Sequence, residues 1–239
     1  MTITDTRPES RPASRLGLHG DSRWFGVHVG VVSDVVDADG QGRVKVKLPW
    51  AADTDGTPIE LWCRLVVPMA GASRGVWFVP EVDDEVAVVF EAGDPRRPFV
   101  VGSLWNGSDA PPETMDGSGQ NNLRSIHSRA GIRIVMDDTD GAVMLTIDTP
   151  GGHSIELDDG GTTVRVQDSS GNKIEMTSSG IEIQASAKVT VKASNVEVTA
   201  GSVKVDAGMS TFSGVVKADT VIANSVVGTS YTPGAGNIW

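Results

Sequence analysis

Carboxylates clustered at turns, four histidines and one cysteine are the side chains of this 239-residue sequence whose types could do chemistry. Asp37-Ala38-Asp39-Gly40 and Asp53-Thr54-Asp55-Gly56 hold fragments of a calcium loop. An EF-hand places its glycine later and ends in a bidentate glutamate, where these stretches offer Leu48 and Arg64, so both read as turns. Asp137 and Asp138, like Asp158 and Asp159, are sequence neighbours, whereas the two carboxylates of a glycosidase face each other across about 5 to 10 Å. Solvated turn charges are the simpler reading. His19, His28, His127 and His153 have no Gly-x-Ser-x-Gly elbow near them, and an exposed or packing role is expected for each. Cys63 lies in the alternating run Leu61-Trp62-Cys63-Arg64-Leu65-Val66 and reads as a buried thiol with no second cysteine to pair with. No catalytic, cofactor-binding or metal residue is assigned.

Trp24, Trp50, Trp62, Trp77 and Trp105 could serve as stacking platforms for single-stranded nucleic acid. A formal net charge of -11 opposes that use, because phosphate binding draws its affinity from Lys and Arg. It also disfavours an anionic membrane surface. These tryptophans are expected in a core or between copies, and no nucleic-acid partner is expected.

The elements that would position such residues are strands. Residues 1–22 are polar, with Pro8, Pro12 and several Arg and Ser, and read as a flexible segment that orders against a neighbour. No apolar run approaches the roughly 18 to 20 residues of a membrane span, and the start lacks the order of a secretory signal. Assembly in the cytoplasm is the expectation. Residues 23–106 show apolar, β-branched runs at 24–36, 44–48, 61–66, 85–90 and 98–104. That is the strand count of an OB-fold barrel. Gly40 and Gly42 follow Asp37 and Asp39 where the first hairpin needs positive φ. Residues 107–128 read as a linker, rich in Gly, Pro and Asn.

Over 129–227 short apolar pairs recur. They include Ile155 with Leu157, Val164 with Val166, Ile174 with Met176, Ile181 with Ile183, Val189 with Val191, Val196 with Val198, and Val203 with Val205. The intervals shrink from roughly eleven residues to about seven. Charged or polar residues such as Glu156, Arg165, Glu175 and Lys204 stand between the two members. A period of two therefore separates an aliphatic core face from a polar one, and all fourteen aliphatics are expected in the core of a needle. A single chain of such strands would bury little per layer and leave its edges unpaired. Three chains wound about one axis solve both problems. The expected fold is all-β: an N-terminal OB-fold barrel followed by a C-terminal, triple-stranded, intertwined, homotrimeric β-helix. The modest hydrophobic fraction of 39% suits such an elongated oligomer.

The segment 75–107 carries Phe78, Pro80, Glu85, Val86, Phe90, Gly93, Asp94, Pro95, Pro98 and Gly102 in an arrangement that strongly resembles the phage baseplate assembly protein V and VgrG-like central spike family. The resemblance continues through Ser128, Arg129, Ala130, Gly131, Ile132, Arg133 and Ile134. It implies a homotrimer on the axis of a contractile tail or injection machine, with its barrels docked on a hub and the inner tube as a further partner. The needle would point at a target envelope. Only about two dozen residues precede the barrel, so the hub is expected to be a separate polypeptide. Some spikes of this kind insert a lysozyme domain between barrel and needle, which the stretch 106–122 is too short to hold. Others end in a His-x-His iron site, for which no histidine pair exists here. The final residues 228–239, with Tyr231, Ile238 and Trp239, are expected instead to receive a PAAR-like conical tip protein. The runner-up reading is a peripheral receptor- or glycan-binding fibre with an OB-type binding module.

Overall fold

The computed structural model describes residues 23–230. Five strands close a barrel: β1 (His28–Asp34), β2 (Arg43–Ala52), β3 (Pro58–Leu65), β6 (Glu85–Phe90) and β7 (Pro98–Ser103). A small ribbon of β4 (Ala70–Gly71) and β5 (Arg74–Gly75) interrupts the series. Around the barrel the order is β1-β2-β3-β7-β6. Every neighbouring pair is antiparallel except β3 and β7, which run parallel. This is the OB topology that the five apolar runs imply. Alternation fills the interior: Val32, Val44, Val46, Leu48, Cys63, Val86 and Val88 are fully buried, with Trp24, Phe90 and Val100 packed around them. Gly30 is required by packing, since a Cβ there would stand 2.4 Å from Val46 Cγ1.

The first hairpin is organised by one carboxylate. Asp37 accepts backbone N–H bonds from Asp39 at 3.2 Å, Gln41 at 2.9 Å and Arg43 at 3.1 Å, and pairs with the Arg43 guanidinium at 2.6 Å. The Arg43 side chain holds the Asp37 carboxyl far below the usual carboxylate range, with the backbone donors adding to it. In the next turn Asp53 Oδ1 accepts backbone N–H bonds from Asp55 at 2.9 Å and Thr57 at 3.0 Å. Each carboxylate thus holds its own turn through backbone N–H groups two and four residues ahead.

After the barrel come seven strands: β8 (Leu123–His127), β9 (Arg133–Asp137), β10 (Met144–Asp148), β11 (Ser154–Asp158), β12 (Thr163–Gln167), β13 (Lys173–Thr177) and β14 (Gly180–Gln184). They form one antiparallel meander in chain order. β8 falls inside the stretch read from sequence as linker. Most of its turns close through a residue at positive φ, as in Gly131 (+87°), Gly152 (+81°) and Gly171 (+82°), with Thr162 (+51°) the non-glycine exception. The contact pattern divides the chain at Lys188. Within the second unit, the described residues 188–230 form no strand paired inside the chain, and every one of them is exposed.

Candidate assembly surface

The meander aligns its apolar pairs in two columns on one face. Ile126, Ile134, Ile147, Ile155, Val166, Ile174 and Ile183 are successive cross-strand partners. Met136, Leu145, Leu157, Val164, Met176 and Ile181 form the second column beside it. Of the residues expected in a needle core, Ile155, Leu157, Val164, Val166, Ile174, Met176, Ile181 and Ile183 are thus brought into one surface. All eight are exposed in the single chain, Ile155 at 40% and Ile183 at 64%.

The reverse face is polar and more covered. Arg165 sits between two glutamates, its Nη1 2.9 Å from Glu156 Oε2 and its Nε 2.7 Å from Glu175 Oε2. Lys173 extends the ladder to Glu175 at 3.8 Å and Glu182 at 3.4 Å. The Glu175 side chain is only 18% exposed, and its partner Arg165 holds its carboxyl below the usual range. From β11 to β13 burial in one chain is therefore inverted, with Glu156, Arg165 and Glu175 half-covered and the aliphatic pairs exposed. Burying such a side chain contributes about 1.5–3 kcal/mol, so a continuous bare face of this size marks an interaction surface.

The six remaining residues expected in the needle core lie in the second unit, where a single chain supplies nothing to cover them. Val189, Val191, Val196, Val198, Val203 and Val205 are not core residues within one chain: all are exposed, Val191 at 72%, Val198 at 70% and Val205 at 71%. The strands read from their alternation are also missing, since residues 188–230 contain no paired strand. The physical reason is that a two-anchor strand gains burial only from a layer packed over it, and no other part of the described chain supplies one. Their backbone groups lack a ladder partner inside the chain, the condition of an edge that another strand can join. Tyr231, Ile238 and Trp239 lie outside the described residues.

The residues that carried the resemblance spread over the barrel. Val86, Phe90, Gly93 and Pro98 are buried, Pro80 and Glu85 are half-buried, and Phe78 and Gly102 are exposed. Asp94 and Pro95 make the turn before β7, closed by Arg97 N–H to Asp94 O at 3.0 Å. The Arg96 guanidinium pulls the Asp94 carboxyl down to about 2. The tryptophans divide between the core and the surface of the single chain. Trp24 alone is in the barrel core, while Trp77 is 75% exposed in the loop after β5 and Trp105 is exposed beyond β7. Trp24 also precedes its strand and is buried by packing against Trp50 and Phe90, with ring centroids 5.1 and 5.0 Å away.

The candidate chemical groups are occupied with structure. His28 stacks on Trp50 with ring centroids 4.5 Å apart, and His127 Nε2 lies 3.1 Å from Glu113 Oε1. Asp137 binds the N–H and hydroxyl of Thr139, and Asp158 accepts from Gly161 N–H. Cys63 is buried, which pushes its thiol up to about 12. Among the described residues no three His, Cys, Asp or Glu side chains are grouped to hold a metal ion, and no helix is long and apolar enough to cross a membrane.

Comparison with known proteins defines the class. Residues 28–105 match the type VI secretion system/phage-baseplate injector OB domain, and residues 144–209 match the phage baseplate V C-terminal trimerisation domain. The first match covers the closed barrel and the second covers the meander from β10 onward, including the exposed apolar pairs of β11–β14. The chain thus carries an injector-type OB domain and a baseplate V trimerisation domain, and over these it is similar to VgrG spike proteins. It is 30% identical over 139 residues to the type VI secretion system spike protein VgrG1b of Pseudomonas aeruginosa, covering 55% of this chain and 19% of that protein. VgrG1a of the same species is 31% identical over 128 residues, or 51% of this chain and 20% of the relative. The actin cross-linking toxin VgrG1 of Vibrio cholerae is 29% identical over 110 residues, 46% of this chain and 10% of that protein. The chain thus spans a fifth or less of the length of these curated relatives.

Proposed function

We propose that this protein is a structural, non-enzymatic spike of a contractile injection machine, built as a homotrimer. The single observation that carries this reading is the inverted burial of the C-terminal sheet. From β11 onward the two aliphatic columns are exposed, while Glu156, Arg165 and Glu175 behind them are half-covered, over a stretch matched by a trimerisation domain. Three copies that bring these columns together form one continuous apolar core, and 188–230 then find their strand partners in the other chains, covering Val191, Val198 and Val205. A closed sheet with no free edge is stiff along its axis, which suits an element that transmits thrust and pierces an envelope.

In this reading the barrels dock on a hub protein, the far end carries a PAAR-like tip protein, and the particle is assembled in the cytoplasm. The test is the mass of the purified protein in solution together with images of the assembled particle. A trimer on the particle axis is the expected result. A monomer would overturn the trimeric reading, and a peripheral position or measurable glycan binding would replace the spike by a receptor-binding fibre.

A further inference from the structure

The barrel carries an apolar strip on its outside that its own fold does not use. β1 is apolar on both sides: Val32 faces the core, while Val29 is 43% exposed and Val31 on the same outer side is half-covered. Val27, just before the strand, is 68% exposed. A strand that is apolar on both faces is the pattern of one covered on both faces.

The charges beside this strip are arranged in a rung. Val31 pairs across to Lys47 on β2 in one direction and to Glu85 on β6 in the other. Cation, valine and anion thus stand side by side on three adjacent strands. Among the described residues neither Lys47 nor Glu85 has an ion-pair partner, although Lys45 pairs with Glu60 and Arg43 with Asp37. The turn leading into β6 is tied to the first hairpin of the C-terminal sheet by Arg129 and Glu81, 2.5 Å apart. The strip therefore lies on a barrel whose β6 turn is joined directly to the sheet that carries the trimer face.

A threefold, head-to-tail contact requires two complementary flanks on every copy, on either side of the element nearest the axis. The rung supplies this arrangement. We propose that in the trimer β1 of each barrel faces the threefold axis, covering Val29 and Val31, and that Lys47 of one copy pairs with Glu85 of the next. This rests on the trimeric reading given above and adds a second, barrel-level contact to the one in the needle. The occupant of the strip is a second copy of this chain, because the missing partner of each charge is present at the same level on the opposite flank.

The experiment uses full-length protein assembled from an equal mixture of chains labelled with light and heavy nitrogen. Treatment with a carbodiimide joins a lysine amine to a carboxylate in contact, and the peptides are read by mass spectrometry. The expected result is a trimer mass with a Lys47–Glu85 link that joins light and heavy peptides. A trimer in which that link is absent, or is found only within one chain, overturns this inference and leaves the trimer standing. A monomer overturns both. In parallel, Lys47→Glu should remove the link and lower the barrel's melting point by several degrees at low salt, where exposed charges are least screened. Adding Glu85→Lys should restore the melting point, and failure to do so in an intact trimer also counts against the contact.

Discussion

At the scale of single residues, this protein spends its carboxylates on turns. Asp37, Asp53, Asp116 and Asp168 each accept backbone N–H groups two and four residues ahead, so an apparent wealth of acid chemistry is hairpin architecture. Asp94 offers a direct check. Its carboxyl is lowered from 3.8 to about 2 by Arg96, so its contribution is fully present above pH 4 and is lost as the pH falls toward 2. Asp94→Asn should lower the melting point at pH 6, and the gap between the two proteins should close as the pH is taken from 4 to about 2. Gly30 is a second residue with a definite expectation. Its missing side chain leaves room for Val46, so Gly30→Ala should destabilise the barrel by about 1–3 kcal/mol in urea unfolding. The sequence showed Cys63 as a buried thiol because the run around it alternates. It could not place Trp77 or Trp105, since nothing in a loop's composition says whether a ring is covered.

At the scale of elements, legibility followed periodicity. The strands β11, β12 and β13 were readable because both of their column positions are aliphatic, as in Ile155 and Leu157. β8 was not, because one of its two column positions is Arg124, leaving only Ile126 to signal the face. Periodicity also has a limit: the alternation at Val191, Val198 and Val205 is as regular as any in the meander, yet it forms no strand in one chain, because a pattern names the buried side without naming what buries it. The outer side of β1 was visible only as part of a long apolar run, and which valines point outward depends on strand pairing that a linear pattern does not hold. The two faces of the meander should respond differently to substitution. Ile174→Asp places three carboxylates in a dry core once three columns meet, and should abolish the trimer in analytical ultracentrifugation. Glu175→Gln on the polar face keeps the shape and leaves the trimer intact. Equal effects from both would show that the apolar columns are not the buried side.

At the scale of the whole molecule, the chain divides its backbone hydrogen bonds between two regimes. From Leu123 to Gln184 the ladders close within one chain, whereas the described residues 188–230 have none. Amide hydrogen exchange separates the two. In the assembled protein, amides around Val191, Val198 and Val205 should be protected by orders of magnitude, and that protection should vanish in any variant that stays monomeric. The meander amides should keep part of theirs.

The buried thiol of Cys63 has a consequence for the assembled object. With its one cysteine sulfur sealed in the barrel and kept in the protonated form, the protein gains no covalent crosslink under oxidation and loses none under reduction. None of its cohesion depends on a thiol–disulfide couple, so a change in thiol redox poise finds no cysteine at its joints to act on.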